Sequence, residues 1–115
     1  MSLYLCVFDG PRELAGADLG AYADFGAFRR AVADRFGTEE AGARFPALLR
    51  HSDCEGEWTP AECAVLAGEL AALAGAVAAG PPFGPFTDVD GEDLIARLRE
   101  LAEVARRHDR PILFQ

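Results

Sequence analysis

Thr59-Pro60-Ala61-Glu62 opens a run that reaches Ala79 with two charges, Glu62 and Glu69, among alanine, glycine, valine, leucine and Cys63. Threonine as N-cap, proline at the first helical position and glutamate three residues after the cap form a capping box. Gly80-Pro81-Pro82 stops the helix. A helix apolar nearly all round must be covered on more than one side. A membrane span is disfavoured, because alanine and glycine are weakly hydrophobic and Glu69 would sit at its middle. The expectation is a central helix, or one shared with a partner or a second copy. A homodimer through Ala61–Ala79 follows as one consequence.

The other segments are read around that helix. Ser2–Asp9 is a continuous apolar run closed by Asp9-Gly10-Pro11, which suits a buried strand. Residues 12–23 read either as a short strand pairing back on the first, over 14–19, or as an irregular loop. Asp24 is the expected N-cap of a helix to Phe36, whose apolar stripe is Phe25, Phe28, Val32 and Phe36, with Gly37 as its stop. Thr38–Arg44 reads as a polar linker, Phe45–His51 as a second strand and Ser52–Trp58 as a loop. After the central helix, Phe83 and Phe86 punctuate a Pro/Gly loop and either pack on the core or stand exposed. A third helix runs from about Asp90–Asp93 to His108, with Leu94, Leu98, Leu101, Ala102 and Ala105 inward. Asp93/Arg97 and Glu103/Arg107 are its expected surface pairs. Arg110–Gln115 closes as a strand. The predicted fold is a single α+β (or α/β) domain over residues 1–115. Its three- or four-stranded sheet packs with about three helices in the order β-α-β-α-α-β.

Charge is distributed unevenly. Residues 51–93 carry nine acids and no lysine or arginine, whereas 1–50 carry seven acids against six arginines and 94–115 three against five; the net charge is −8. An acidic middle disfavours nucleic acid, whose phosphates need cations, and an anionic membrane surface. It suits a basic protein or a cation; a solvated acidic surface is the plainer alternative. The three cysteines, Cys6, Cys54 and Cys63, form no disulfide framework, and the first residues lack a signal-peptide pattern. The expected compartment is a reducing cytoplasm.

The richest stretch for chemistry is His51–Glu62. Its residues His51, Asp53, Glu55, Gly56 and Glu62 fall at calcium-loop positions, but His51 stands where a hard cation needs oxygen. If a metal binds, its ligands are Asp53, Glu55 and Glu62; otherwise no metal and no cofactor is expected. A zinc site from His51, Cys54 and Cys63 has no common spacing. A Cys54 nucleophile would be opposed by Asp53, Glu55 and Glu57, which disfavour a thiolate. Carboxylate pairs, Asp53 with Glu55 or Glu57 and Asp88 with Asp90, are not distinguishable from acidic loops, and Asp90 is expected to cap the third helix. A contact surface remains, with Asp53, Glu55, Glu57, Asp88 and Asp90 around a partner and Trp58 as anchor. Trp58 packing on the core before the Thr59 cap is the structural alternative. The function classes left open are therefore a protein-binding module, a small metal-binding enzyme or sensor, and a homodimeric interaction module.

The chain resembles the immunity protein 70 family of bacterial polymorphic toxin systems. The stretches that carry the resemblance are Leu3–Gly10 (LYLCVFDG), Gly20–Phe25 (GAYADF), Arg44-Phe45-Pro46, His51–Trp58 (HSDCEGEW) and Pro111–Phe114 (PILF). The resemblance implies a small cytoplasmic antidote that binds and neutralises a cognate toxin domain and has no catalytic residues of its own. An acidic inhibitor suits a basic toxin, such as a nuclease.

Overall fold

The computed structural model describes residues 2–52 and 55–115, so the roles expected of Asp53 and Cys54 lie outside the described residues. The elements are β1 (Ser2–Asp9), β2 (Arg12–Ala21), α1 (Tyr22–Phe36), α2 (Thr38–Arg44), α3 (Pro46–Arg50), β3 (Glu57–Trp58), α4 (Pro60–Ala79), α5 (Leu94–His108) and β4 (Ile112–Phe114). The four strands form one antiparallel sheet in the order β2-β1-β4-β3. The α+β class is as expected. The order differs in that the strand alternative after β1 is taken, over 12–21 rather than 14–19, in two short helices in place of the Thr38–Arg44 linker and the Phe45–His51 strand, and in a two-residue strand in the loop.

β1 and β2 form a hairpin in which Asp9 pairs with Arg12. The two-residue turn needs a positive φ at its first central residue, and Gly10 supplies it at 60°. β2 forms despite its small side chains because Ala17 and Leu19 alternate inward against fully buried Leu3, Leu5 and Val7. Gly16 has a different reason. A Cβ there would lie 2.1 Å from the Tyr4 hydroxyl and from Glu13 Oε1, so glycine leaves room for Tyr4 to donate to Glu13 across the hairpin. That hydrogen bond to a carboxylate is the main reason the Tyr4 phenol is pushed up to about 12.

One face of the sheet is covered. Leu3, Leu5 and Val7 of β1, with Ile112 and Phe114 of β4, share a single core with Phe25, Phe28 and Val32 of α1 and Leu98, Leu101 and Ala105 of α5. Each of these side chains larger than alanine contributes roughly 1.5–3 kcal/mol relative to exposure. Cys6 alternates to the opposite face, buried near the Leu113 carbonyl. Phe83 and Phe86 pack edge-on against Phe28 at 6.1 and 5.6 Å, taking the core alternative.

α1 begins at Tyr22, two residues before its expected cap. Asp24 sits in the first turn and accepts from the Ala21 N–H at 2.9 Å. A carboxylate there satisfies a free N–H and meets the positive end of the helix dipole. The linker and strand read over 38–51 are helical instead. Phe45 and Leu48 are buried three residues apart, and a short apolar run of this kind does not distinguish strand from helix. The deciding partner is Glu69, in the middle of α4. Its carboxylate accepts from the Ala47 and Leu48 N–H groups, each at 2.9 Å. Phe45, the residue before α3, offers no side-chain cap, so Glu69 caps α3 from another element.

α4 is long and apolar enough to cross a membrane by length and composition. Its Cys63, Leu66, Glu69, Leu70 and Leu73 face the core. α5 buries Leu94, Ile95, Leu98, Leu101, Ala102 and Ala105, the expected face with Ile95 added. Its cap is Asp93, which accepts from the Ala96 N–H, rather than Asp90. Arg97 therefore pairs with Asp88 and Glu100 instead of Asp93, and Glu103 pairs with Arg106 instead of Arg107.

Candidate functional site

The connection from α3 to β3 around His51 is built from backbone and rings. His51 Nδ1 lies 2.6 Å from the Ser52 carbonyl oxygen and Nε2 lies 2.8 Å from that of Glu57. The imidazole stacks on Phe114, with ring centroids 4.2 Å apart, and meets Trp58 at 5.3 Å. Gly56, at φ 91°, passes close to the ring. Its carbonyl accepts from the Phe114 N–H at 3.0 Å, tying the loop to β4. With both nitrogens facing carbonyls, His51 holds the loop and has no nitrogen lone pair turned outward for a metal.

Trp58 is 0% exposed. It packs edge-on against Phe114 at 4.7 Å and its indole donates to the Ala47 carbonyl at 2.8 Å. The expected partner-facing role of Trp58 is therefore corrected to the structural alternative. β3 alternates its side chains, so pairing Trp58 with Ile112 turns the indole into the core and leaves Glu57 outside. The next residues form the capping box as read: Thr59 Oγ1 accepts from the Glu62 N–H at 3.2 Å, and Glu62 Oε1 accepts from the Thr59 N–H at 3.1 Å. Glu62, one of the conditional metal ligands, is thereby engaged. Cys63 donates to the Trp58 carbonyl, and burial pushes its thiol up to about 11, the opposite of an activated nucleophile. Among the described residues, no three histidine, cysteine, aspartate or glutamate side chains gather to hold a metal.

Asp88 is likewise corrected from partner-facing to structural. It is buried, its Oδ1 accepts from the Asp90 and Glu92 N–H groups, each at 2.9 Å, and its Oδ2 accepts from Arg97 Nε at 3.0 Å. Arg97 also donates to the Gly16 carbonyl, and Val89 N–H to that of Asp18, so the outer edge of β2 is partly closed. Asp90 stays exposed, as do Glu55 and Glu57. The two acidic groups are not brought together. The Asp88 loop borders β2 at one edge of the sheet and Glu57 belongs to β3 at the other, roughly three strand spacings or about 14 Å away.

Two of the clefts lie beside charged residues already described or adjacent to His51. One of about 360 Å³ lies between β2, α1 and the Pro85–Val89 segment; its carboxylates, Asp24 and Asp88, both hold local backbone. The other, about 340 Å³, lies between α1, α2 and α3 and is lined by Arg29, Arg30, Ala33, Thr38, Gly42, Leu49 and Arg50. Sequence reasoning missed it because the near-balance of charge over 1–50 conceals how the arginines segregate. The adjacent pair Arg29-Arg30 was the only linear signal. Arg50 joins it solely because 46–50 is helix.

No curated protein and no solved structure matches the chain. The family profile of immunity protein 70 matches residues 3–83, from β1 through α4 to the Phe83 loop. That match takes in four of the five stretches on which the resemblance was stated, including His51–Trp58, and the chain belongs to the immunity protein 70 family.

Proposed function

We propose that this chain is a non-catalytic cytoplasmic antidote that binds a cognate toxin domain of a bacterial polymorphic toxin system and blocks it. The family match over residues 3–83 carries this reading. The site supports it, because His51, Trp58 and Glu62 all hold the frame while Glu55 and Glu57 stand exposed on the loop between them. Glu57, held in β3 beside the buried Trp58, presents its charge with little ordering cost on binding. Exposed carboxylates of this kind steer a basic partner and set its orientation.

The test is to mix the purified protein with the toxin domain encoded beside it. A 1:1 complex should form, abolish the toxin's activity and weaken as salt rises. Glu55→Gln/Glu57→Gln should slow association without changing the melting temperature. Absence of any complex overturns the proposal; a complex indifferent to salt and to both substitutions overturns its electrostatic part. Self-association through α4 is a second reading, favoured by Val65, 53% exposed on an otherwise alanine- and glycine-rich outer face. Light scattering at increasing concentration decides it.

A further inference from the structure

β1 is apolar on both of its faces, and helices cover only one of them. Leu3, Leu5 and Val7 point into the core, so Tyr4, Cys6 and Phe8 alternate to the other side. Leu113 of β4 pairs with Cys6 and lies between the inward Ile112 and Phe114, which turns it the same way. None of these four side chains belongs to the core. α1, α4 and α5 bury their stripes on the inner face, while α2 packs on α1 and α3 on α4. Among the described residues, no helix lies over Tyr4, Cys6, Phe8 and Leu113. Tyr4, Phe8 and Leu113 are half-buried, and the smaller Cys6 sits wholly buried among them.

An antiparallel sheet with one solvated face ordinarily shows polar side chains there. The flanking strands keep that rule. Cross-strand partners share a face, so Asp18 stands beside Tyr4, Gly16 beside Cys6, Glu13 beside Phe8 and Glu57 beside Leu113. β1 and β4 break the rule at the centre. Arg12, at the hairpin turn, is the only lysine or arginine in the four strands, and Arg110, just before β4, is paired with Asp9. The face therefore has an apolar middle and an acidic border, the arrangement of an interface core and its rim. Tyr4 is already held within it, because its hydroxyl donates to Glu13 across the space that Gly16 leaves. An aromatic side chain fixed in advance loses little freedom on binding.

We infer that this uncovered sheet face docks the toxin domain. Tyr4, Phe8 and Leu113 meet an apolar centre on the toxin, and Glu13, Asp18 and Glu57 meet lysines or arginines around it. The inference rests on the toxin-binding reading and deepens it by naming the surface. Glu57, whose charge that reading already uses, lies on the border of the same face. The sign of the border selects the occupant. A second copy would set the same acids against these, with no basic strand residue except Arg12 to answer them. The phosphates of nucleic acids or lipid headgroups would be repelled. A basic protein surface satisfies the border and leaves the aromatic centre to supply the affinity.

The experiment compares wild type with Phe8→Thr/Leu113→Thr, in which a good strand former replaces each apolar side chain. Val65→Thr/Val89→Thr, at the large apolar side chains exposed on other surfaces, is the control. Toxin affinity should fall about tenfold or more for the face variant and stay within about twofold for the control. Circular dichroism should be unchanged for both. As a readout that needs no substitution, the toxin domain is added to wild type carrying isotope-labelled leucine methyls. The Leu113 signals should shift, and those of Leu98 and Leu101 in the core should not. Wild-type affinity in the face variant, or unmoved Leu113 signals in a formed complex, overturns the inference and leaves toxin binding intact. So does equal loss in both variants, or a dimer of the free protein that only the face variant dissolves. Binding by none of the proteins, wild type included, overturns the toxin-binding reading itself.

Discussion

Trp58 and Glu69 show how a residue's type can indicate that it matters without saying where. Trp58 reads from sequence as a large apolar side chain amid acids, equally suited to an interface or a core. Its indole is wholly buried and its N–H bonds the Ala47 carbonyl. Trp58→Ala should therefore cost about 3–5 kcal/mol in denaturant unfolding, whereas Glu55→Gln should stay within about 0.5 kcal/mol. Comparable costs for both would show that Trp58 is not a core residue. Glu69 reads as an interruption of an apolar helix and is a cap for α3. Burial raises its pKa above the ordinary 4.5, offset in part by the Leu48 and Ala47 N–H groups. The folded state thus holds this proton more tightly than the unfolded chain. The contribution is fully present below the ordinary value and is lost as pH rises through the raised one. Relative to Glu69→Gln, which cannot titrate, wild type should gain stability as pH falls from 7 toward 4.5. A difference that stays flat or runs the other way in parallel melts contradicts this account.

Among the elements, those with a period or a cap of their own were legible. α1 and α5 carry their buried stripes at helical spacing, and α4 has a capping box in four consecutive residues. The short elements were not. α3 has five residues and β3 two, while β2, although ten residues long, is built mostly of small side chains and read either as strand or as loop. A strand of two residues exists only because β4 lies beside it, and α3 only because Glu69 and Trp58 satisfy its backbone. Caps misread by a few residues illustrate the same point. Asp90 and Asp93 both sit where a cap is wanted, yet only Asp93 accepts from a first-turn N–H. Asp93→Ala should lower stability by about 1 kcal/mol and Asp90→Ala by well under half that. Equal effects in thermal melts would remove the assignment.

At the scale of the molecule, one core joins the inner sheet face to α1, α4 and α5. Trp58 lies within it, so its fluorescence and the far-UV circular dichroism should report one coincident, cooperative unfolding transition. Separate transitions would divide the core. Exposed acids stand near both sheet edges, Asp90 beside β2 and Glu57 on β3, while Arg29, Arg30 and Arg50 line the cleft between α1, α2 and α3. The sequence by itself determined the α+β class, the three long helices, the inward faces of α1 and α5, the Thr59 capping box and the family, because periodicity, capping and local motifs are written within a few turns of chain; α4, apolar nearly all round, showed no single face in sequence and buries one stripe. Only the tertiary structure decided that 46–50 is helix, that Trp58 and Asp88 are internal, and that Arg30 and Arg50 share a cleft. Those outcomes depend on partners distant in sequence, Glu69 for α3, Ile112 for Trp58, and the Gly16 and Asp18 carbonyls that hold Arg97 and Val89 around Asp88. The His51–Glu62 stretch thus resolves into a framework whose ring and cap residues are spent on the fold, leaving Glu55 and Glu57 to the surface.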